Sequence, residues 1–197
     1  KIPGSFAYVR QQEPLGLGHA VWCARHLIGN EPVAILLADD LIYGSNTIKE
    51  MIDNYTFGNM LAIMDVNKNN VSSYGIITPG KSLDNNITEI LGLVEKPTVE
   101  KAPSNMAVVG RYIIEPEIFG VLEKQNKGIG NEIQLTDAIA SRIGKSDCFG
   151  YKFSNERFDC GSRLGFIQAN IKLSIERKEI NQKLKKWLRE EILDDDK

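Results

Sequence analysis

Cysteine and histidine are scarce in this 197-residue chain. The three cysteines, Cys23, Cys148 and Cys160, are widely separated and show no C-x-x-C spacing. They read as free thiols of a reducing compartment, which excludes a disulfide framework and a cysteine-held zinc site. The two histidines, His19 and His26, fall on one expected helix with no third ligand in evidence, so they read as satisfied structural side chains. No apolar stretch approaches the roughly 20 residues that carry a helix across a bilayer. A concentrated basic excess is also missing, since the formal net charge is -2, and this argues against nucleic acid as the main partner. Lys1-Ile2-Pro3-Gly4-Ser5 lacks the charged-then-apolar order of a secretion signal, leaving the cytoplasm as the default location. Internal repeats and low-complexity segments are absent. What remains, 42% hydrophobic and 25% charged residues, suits a soluble globular chain long enough for one sizeable core.

The strongest local signal is Val33-Ala34-Ile35-Leu36-Leu37-Ala38, an apolar run that stops at Asp39-Asp40. Such a run predicts a strand buried on both faces, as in a parallel α/β sheet. Phe6–Arg10 reads as a preceding short strand, and Gln11–Gly18 as a loop punctuated by Pro14, Gly16 and Gly18. Ala20, Val21, Ala24, Leu27 and Ile28 mark a helix stopped by Gly29-Asn30. Thr47–Tyr55 reads as a second helix and Asn59–Asp65 as another strand, giving βαβ units. The middle third reads as strands at Tyr74–Ile77, Ile87–Glu95 and Ala107–Ile114, partly antiparallel, with loops at Asn69-Asn70 and residues 80–86. Helices are expected from Pro116 to Leu122 and from Asn131 to Ile143, then a strand at Cys148–Phe153 and a loop at Phe158–Gly161. From Arg163 a helical pattern runs to about Glu191 with a break near Glu179–Asn181, and Asp194–Lys197 reads as a frayed tail. The Leu184, Trp187 and Leu188 stripe can pack on its own domain, the default expectation, or on a second copy in a homo-oligomer.

Several segments carry candidate chemistry beside a plain structural reading. Gln11–Gly18 is either a strand-to-helix turn or a loop whose glycines admit a planar heterocycle close to the backbone. Asp39-Asp40 is either an acidic turn or a cation site beyond a strand's carboxyl end, with Asp39 the better ligand by position. In Val94-Glu95-Lys96-Pro97, Glu95 suits vicinal sugar hydroxyls and Lys96 a phosphate; the alternative is a surface ion pair. Adjacent strand residues face opposite sides, so both serve one ligand only if the strand ends there. Asn131-Glu132 through Asp137 reads structurally as an N-cap with acids in the first turn, and only context makes Glu132 a ligand. Asp159, before Cys160-Gly161, is an acid that could complete a metal site with Asp39.

Assembled in order, these pieces resemble the bacterial UTP–glucose-1-phosphate uridylyltransferases (UDP-glucose pyrophosphorylases). The matching runs are Gln11…Pro14-Leu15-Gly16-Leu17-Gly18-His19-Ala20, Leu37-Ala38-Asp39-Asp40, Tyr74-Gly75, Val94-Glu95-Lys96-Pro97, Ala102-Pro103-Ser104-Asn105, Val109-Gly110-Arg111-Tyr112, Asn131–Ala138 and Asp159-Cys160-Gly161. The Pro-Ser-Asn and Gly-Arg-Tyr runs look closer to this branch than to the related thymidylyltransferases. The resemblance implies a Rossmann-like nucleotidyltransferase α/β domain over residues 1–197, with a mixed, mostly parallel sheet flanked by helices and a C-terminal helical segment over 163–197. It implies conversion of UTP and glucose 1-phosphate to UDP-glucose and pyrophosphate, with Mg2+, in carbohydrate metabolism. Gln11 and the Gly16 backbone would then read uracil, Gly75, Glu95 and Glu132 would hold the glucose hydroxyls, and Lys96 would neutralise the sugar phosphate. Asp39 would bind the metal, with Asp159 as second ligand.

The family opens with a strand and a G-x-G-T-R loop followed by a Lys-Pro-Lys-Glu-like run, and neither is found here. The resemblance therefore implies a domain lacking about its first third, inert on its own, with the full-length parent as the enzyme. A catalytically silent sugar-nucleotide binder and a thymidylyltransferase are the rival readings.

Overall fold

A computed structural model describes residues 6–84 and 86–192. The chain forms two compact units, one from Lys1–Leu36 with Asn46–Ser154, the other from Leu37–Ser45 with Asn155–Lys197.

The larger unit is built on a six-stranded sheet of β1 (Val33–Leu36), β3 (Asn59–Asp65), β4 (Gly75–Ser82), β5 (Ile87–Glu95), β6 (Met106–Ile114) and β7 (Cys148–Lys152). The spatial order is β1-β6-β3-β7-β5-β4, with a further β4–β6 pairing at Ile76 and Ala107. The sheet is mixed, but its ladders are not mostly parallel as expected: among the described pairings only β3–β7 is parallel. The cause is the insertion of β6. β1 and β3 both pair antiparallel to it, so they share a direction without touching each other's ladder. β-α alternation in sequence reports strand direction, whereas a third strand inserted between two of them from far along the chain decides the hydrogen bonding.

The core lies under β3 and β6, where Met60, Leu61, Ala62, Ile63, Val108, Val109, Ile113 and Ile114 are buried. Each large aliphatic side chain taken from water there contributes about 1.5–3 kcal/mol. β1 departs from expectation. It is an edge strand whose side chains alternate between half-buried and exposed, and Leu36 keeps 51% of its surface in solvent. Its apolar run is therefore not covered on both faces. Phe6–Arg10 forms no strand, and Phe6 and Tyr8 are 89% and 95% exposed. β-forming residues without a partner ladder stay extended and solvated. β4 runs on to Ser82, through residues expected as loop, with register irregularities on either side of Pro79, which cannot donate to a ladder.

Helices α1 (Leu17–Cys23), α2 (Thr47–Asn54), α3 (Ile118–Leu122) and α4 (Leu135–Ala140) belong to this unit. Asn46 caps α2 by accepting from the Lys49 backbone N–H at 3.2 Å, and the helix buries Met51 completely. α4 is shorter than the expected helix from Asn131. Asn131 has φ 61 in a short 3-10 segment, Glu132 is extended, and the helix starts only at Leu135.

The smaller unit pairs β2 (Asp40–Tyr43) antiparallel with β8 (Glu156–Asp159), matching Asp40 to Asp159. The sequence reading holds neither strand, because four-residue strands whose partners lie 113 to 119 positions apart leave little periodicity to read. α5 (Arg163–Glu176) and α6 (Asn181–Trp187) follow, broken near the expected place. Ser162 caps α5 by accepting from the Gly165 N–H at 3.0 Å. In the C-terminal stripe Trp187 is 51% exposed while Leu184 and Leu188 are half-buried. Asp194–Lys197 lies outside the described residues. No helix among the described residues is long and apolar enough to cross a membrane.

Candidate functional site

In the larger unit, the loop before α1 is held to the segment before α4 by a short backbone ladder. The Ile133 N–H donates to Leu15 O at 2.7 Å and the Gly18 N–H to Ile133 O at 2.8 Å. Gly16 sits in this ladder with φ 97, and a Cβ there would lie 2.7 Å from the Glu132 Cβ. Only glycine tolerates both conditions. The consequence is that Gly16 and Glu132 lie against each other although 116 residues separate them. Gln11 folds back on the same turn, its Nε2 donating to Gly16 O at 3.0 Å. That carbonyl also accepts from the Ala20 N–H at 3.1 Å, so the Gly16 group that remains for a ligand is the N–H.

The second part of the site is the end of the β4–β5 hairpin. Gly75 stands opposite Glu95 in the ladder, and Glu95 is 9% exposed. Its Oε2 accepts from Thr136 Oγ1 at 2.7 Å, and Lys96 Nζ lies 3.8 Å from its Oε1. Lys96 adopts φ 44, with its backbone N–H donating to Tyr74 O at 2.9 Å. This left-handed residue ends the strand and answers the facing problem of two adjacent side chains: the chain reverses hand at Lys96, and its ammonium returns to the carboxylate of its neighbour. A non-glycine residue held in this region costs about 1–2 kcal/mol, a strain that tends to persist at functional positions.

Glu132 is not a first-turn acid of α4, which removes the structural reading made for it. Its Oε2 accepts from Gln134 Nε2 at 3.1 Å, and the Gln134 carbonyl accepts from Gln125 Nε2 at 3.0 Å. Residues 132–136 thus carry the ladder contacts to the Gly16 loop and a hydrogen bond to the Glu95 carboxylate. Thr136, buried at 8% exposure, escaped the sequence reading; a threonine on the apolar face of a short helix was the available signal.

In the smaller unit the two adjacent acids part company. Asp40 is buried and forms a salt bridge with Arg157, itself only 11% exposed. Asp39 is exposed, and its backbone carbonyl accepts from the Cys160 N–H at 2.8 Å. The position a Cβ on Gly161 would take lies 3.0 Å from Asp39 Oδ2 and 3.1 Å from Asp159 Oδ1, so the two carboxylates converge on one glycine. Asp159 Oδ1 also accepts from the Gly161 N–H at 3.1 Å. Asp39 does not end a strand as expected but lies in the turn before β2, because β1 stops at Leu36, and only Asp159 ends a strand. The two hard oxygen donors would suit a divalent cation that draws its remaining ligands from phosphate and water. Among the described residues no group of three or more His, Cys, Asp or Glu converges as a self-sufficient metal cage.

Residues 3–175 match the nucleotidyl transferase family, and the chain belongs to it. Within that family it is 42% identical over 186 residues to a UTP–glucose-1-phosphate uridylyltransferase of Staphylococcus saprophyticus, covering 90% of this chain and 64% of the relative. It is likewise 42% identical over 180 residues to the enzyme of that name from Bacillus subtilis, covering 90% of this chain and 61% of the relative. The structure is similar, with TM-score 0.83 and 42% identity, to a UDP-glucose pyrophosphorylase complexed with UDP-glucose, covering 87% of this chain and 67% of that one. The chain spans less than two thirds of the length of these two curated relatives.

Proposed function

We propose that this chain supplies the uridine-reading, sugar-binding and metal-binding residues of a UTP–glucose-1-phosphate uridylyltransferase. The observation that carries the reading is the convergence of Gly75, Glu95, Lys96 and Thr136 at one hairpin end, because a buried carboxylate flanked by an ammonium suits a hydroxyl-rich anion better than a solvated ion pair. Support also comes from the similarity to uridylyltransferases over 90% of the chain.

Each side chain has a role within this reading. Gln11 Oε1 accepts from the uracil N3–H, and the Gly16 N–H donates to a uracil carbonyl. Glu95 and Glu132 accept from glucose hydroxyls, with the absence of a side chain at Gly75 letting Thr136 and the Glu95 carboxylate pack against the hairpin end. Lys96 neutralises the sugar phosphate, and removing repulsion between two anionic reactants is the principal demand of this chemistry. A phosphate oxygen of glucose 1-phosphate forms a bond to the α-phosphorus of UTP, the bond to pyrophosphate breaks in line, and no covalent protein nucleophile intervenes. Asp39 and Asp159 would hold the divalent cation, Mg2+, which supplies charge neutralisation at the phosphates. The setting is cytoplasmic, without nucleic acid or membrane partners.

Calorimetric titration of the chain with UDP-glucose tests the reading. Saturable binding that is lost in Glu95→Gln is expected; binding unaffected by that change contradicts the assignment of the sugar site.

A further inference from the structure

Gln11 does not stand alone in its loop. Its Nε2 lies 3.0 Å from Gly16 O and also 3.0 Å from His19 Nδ1, and His19 Nε2 lies 3.8 Å from Cys23 Sγ. The direction of every proton in this chain of contacts follows from one fact. A backbone carbonyl can only accept, so the Gln11 atom facing Gly16 O is the amide nitrogen, and its carbonyl oxygen points away. The second amide hydrogen then faces His19 Nδ1, which must offer a lone pair. In a neutral imidazole the proton therefore sits on Nε2, facing the Cys23 sulfur. The ring is held in place by stacking on Trp22, with centroids 5.8 Å apart and planes inclined by 21°, and the Arg25 guanidinium lies 3.5 Å from the Trp22 ring centre.

We infer that His19 is a positioning residue that locks the Gln11 amide with its carbonyl outward, so that the loop accepts uracil and rejects cytosine. This rests on the assignment of Gln11 to the base. With both amide hydrogens engaged inward, Gln11 offers a ligand an acceptor only. Uracil presents a donor at N3, whereas cytosine presents a bare lone pair there, and two acceptors face to face lose the hydrogen bond and leave desolvated groups unpaired. Without His19 one of the two inward contacts disappears and only the Gly16 carbonyl still holds the amide, so turning its NH2 group outward toward cytosine costs one hydrogen bond instead of two. A side chain that discriminates by the direction of its amide needs a second residue to hold that direction.

Two measurements test this. A two-bond 1H–15N spectrum of the imidazole in the free chain is expected to show the Nε2–H tautomer at His19; the Nδ1–H tautomer overturns the inference. Binding of UDP-glucose and CDP-glucose is then compared in the wild type, His19→Leu and His19→Asn. The uridine preference is expected to fall about tenfold in His19→Leu, the scale of one mismatched polar contact. It is expected to be retained in His19→Asn, whose Oδ1 replaces the Nδ1 acceptor. A preference unchanged in His19→Leu overturns the inference, as does its loss in a folded His19→Asn. A wild-type chain that binds both nucleotides equally overturns the reading of Gln11 itself, and the tautomer separates that failure from a misassigned His19.

Discussion

Thr136 Oγ1 donates a 2.7 Å hydrogen bond to Oε2 of Glu95, a buried contact between residues 41 positions apart. It leaves Oε1 as the oxygen nearer Lys96. Thr136→Val preserves shape and removes the donor from a desolvated carboxylate. A loss of about 1.5–3 kcal/mol is expected, the range for hydrogen bonds to charged groups, together with weaker UDP-glucose binding. Thr136→Ser should restore both. Chemical denaturation and calorimetry on the three proteins check this, and a Val variant as stable as the wild type would remove Thr136 from the site.

Lys96 joins a strained backbone to a functional charge, and substitution separates the two. Lys96→Ala is expected to weaken glucose 1-phosphate binding by about tenfold or more, equivalent to about 1.4 kcal/mol, with a much smaller effect on UTP. Lys96→Gly relieves the φ 44 backbone, so it should be at least as stable as Lys96→Ala while equally poor toward the sugar phosphate. Equal losses for both ligands would contradict the assignment.

Asp39 and Asp40 should respond in opposite ways. Asp39→Ala is expected to leave the melting temperature nearly unchanged and to abolish Mg2+-dependent turnover in a turnover-competent polypeptide carrying this chain. Asp40→Ala removes the carboxylate that pairs with the buried Arg157, and breaking such a pair costs about 3–5 kcal/mol. Thermal melts together with metal titration distinguish the two, and a marked stability loss from Asp39→Ala would contradict its reading as a ligand.

Much of this arrangement was legible in the sequence, and the gaps have physical causes. β3 and β5 were delimited as found: β3 is an unbroken buried run from Asn59 to Ile63, while β5 buries Ile90, Leu93 and Glu95 and exposes Leu91 and Val94. Motif order singles out Gly16, Gly75, Glu95 and Glu132, and the structure sets Gly16 against Glu132 and Gly75 opposite Glu95. The pairing partners were not legible. Nothing near Asp40 announces Arg157, and nothing near Glu95 announces Thr136, since these contacts arise only when distant strands and loops meet. The double-sided burial expected for Val33–Ala38 failed for the same reason, because burial depends on neighbours rather than on the run itself. His19 was read as a satisfied structural histidine; it is indeed hydrogen-bonded, but to the residue assigned to the base.

Burial pushes the Cys148 thiol up to about 12 from its ordinary 9.0. The unfolded chain releases this proton above about pH 9 while the folded chain keeps it. The contribution of this group to stability is therefore full below pH 9 and lost as pH rises toward 12. The fall in melting temperature between pH 9 and pH 10.5 should be shallower in Cys148→Ala. A thiol reagent should modify Cys23 and Cys160 before Cys148. Mass-spectrometric mapping of the labelled chain checks the order, and early labelling of Cys148 would contradict it.

The most direct test of the central claim is a calorimetric comparison of UDP-glucose binding to the wild type and to Gly16→Ala. The added methyl group meets the Glu132 Cβ and forces a left-handed backbone on alanine, so it disturbs the uridine loop and the sugar carboxylate together. Saturable binding to the wild type that falls at least tenfold in a folded Gly16→Ala is the expected result. Equal affinity in the two proteins would contradict the claim that this loop and Glu132 form one sugar-nucleotide site.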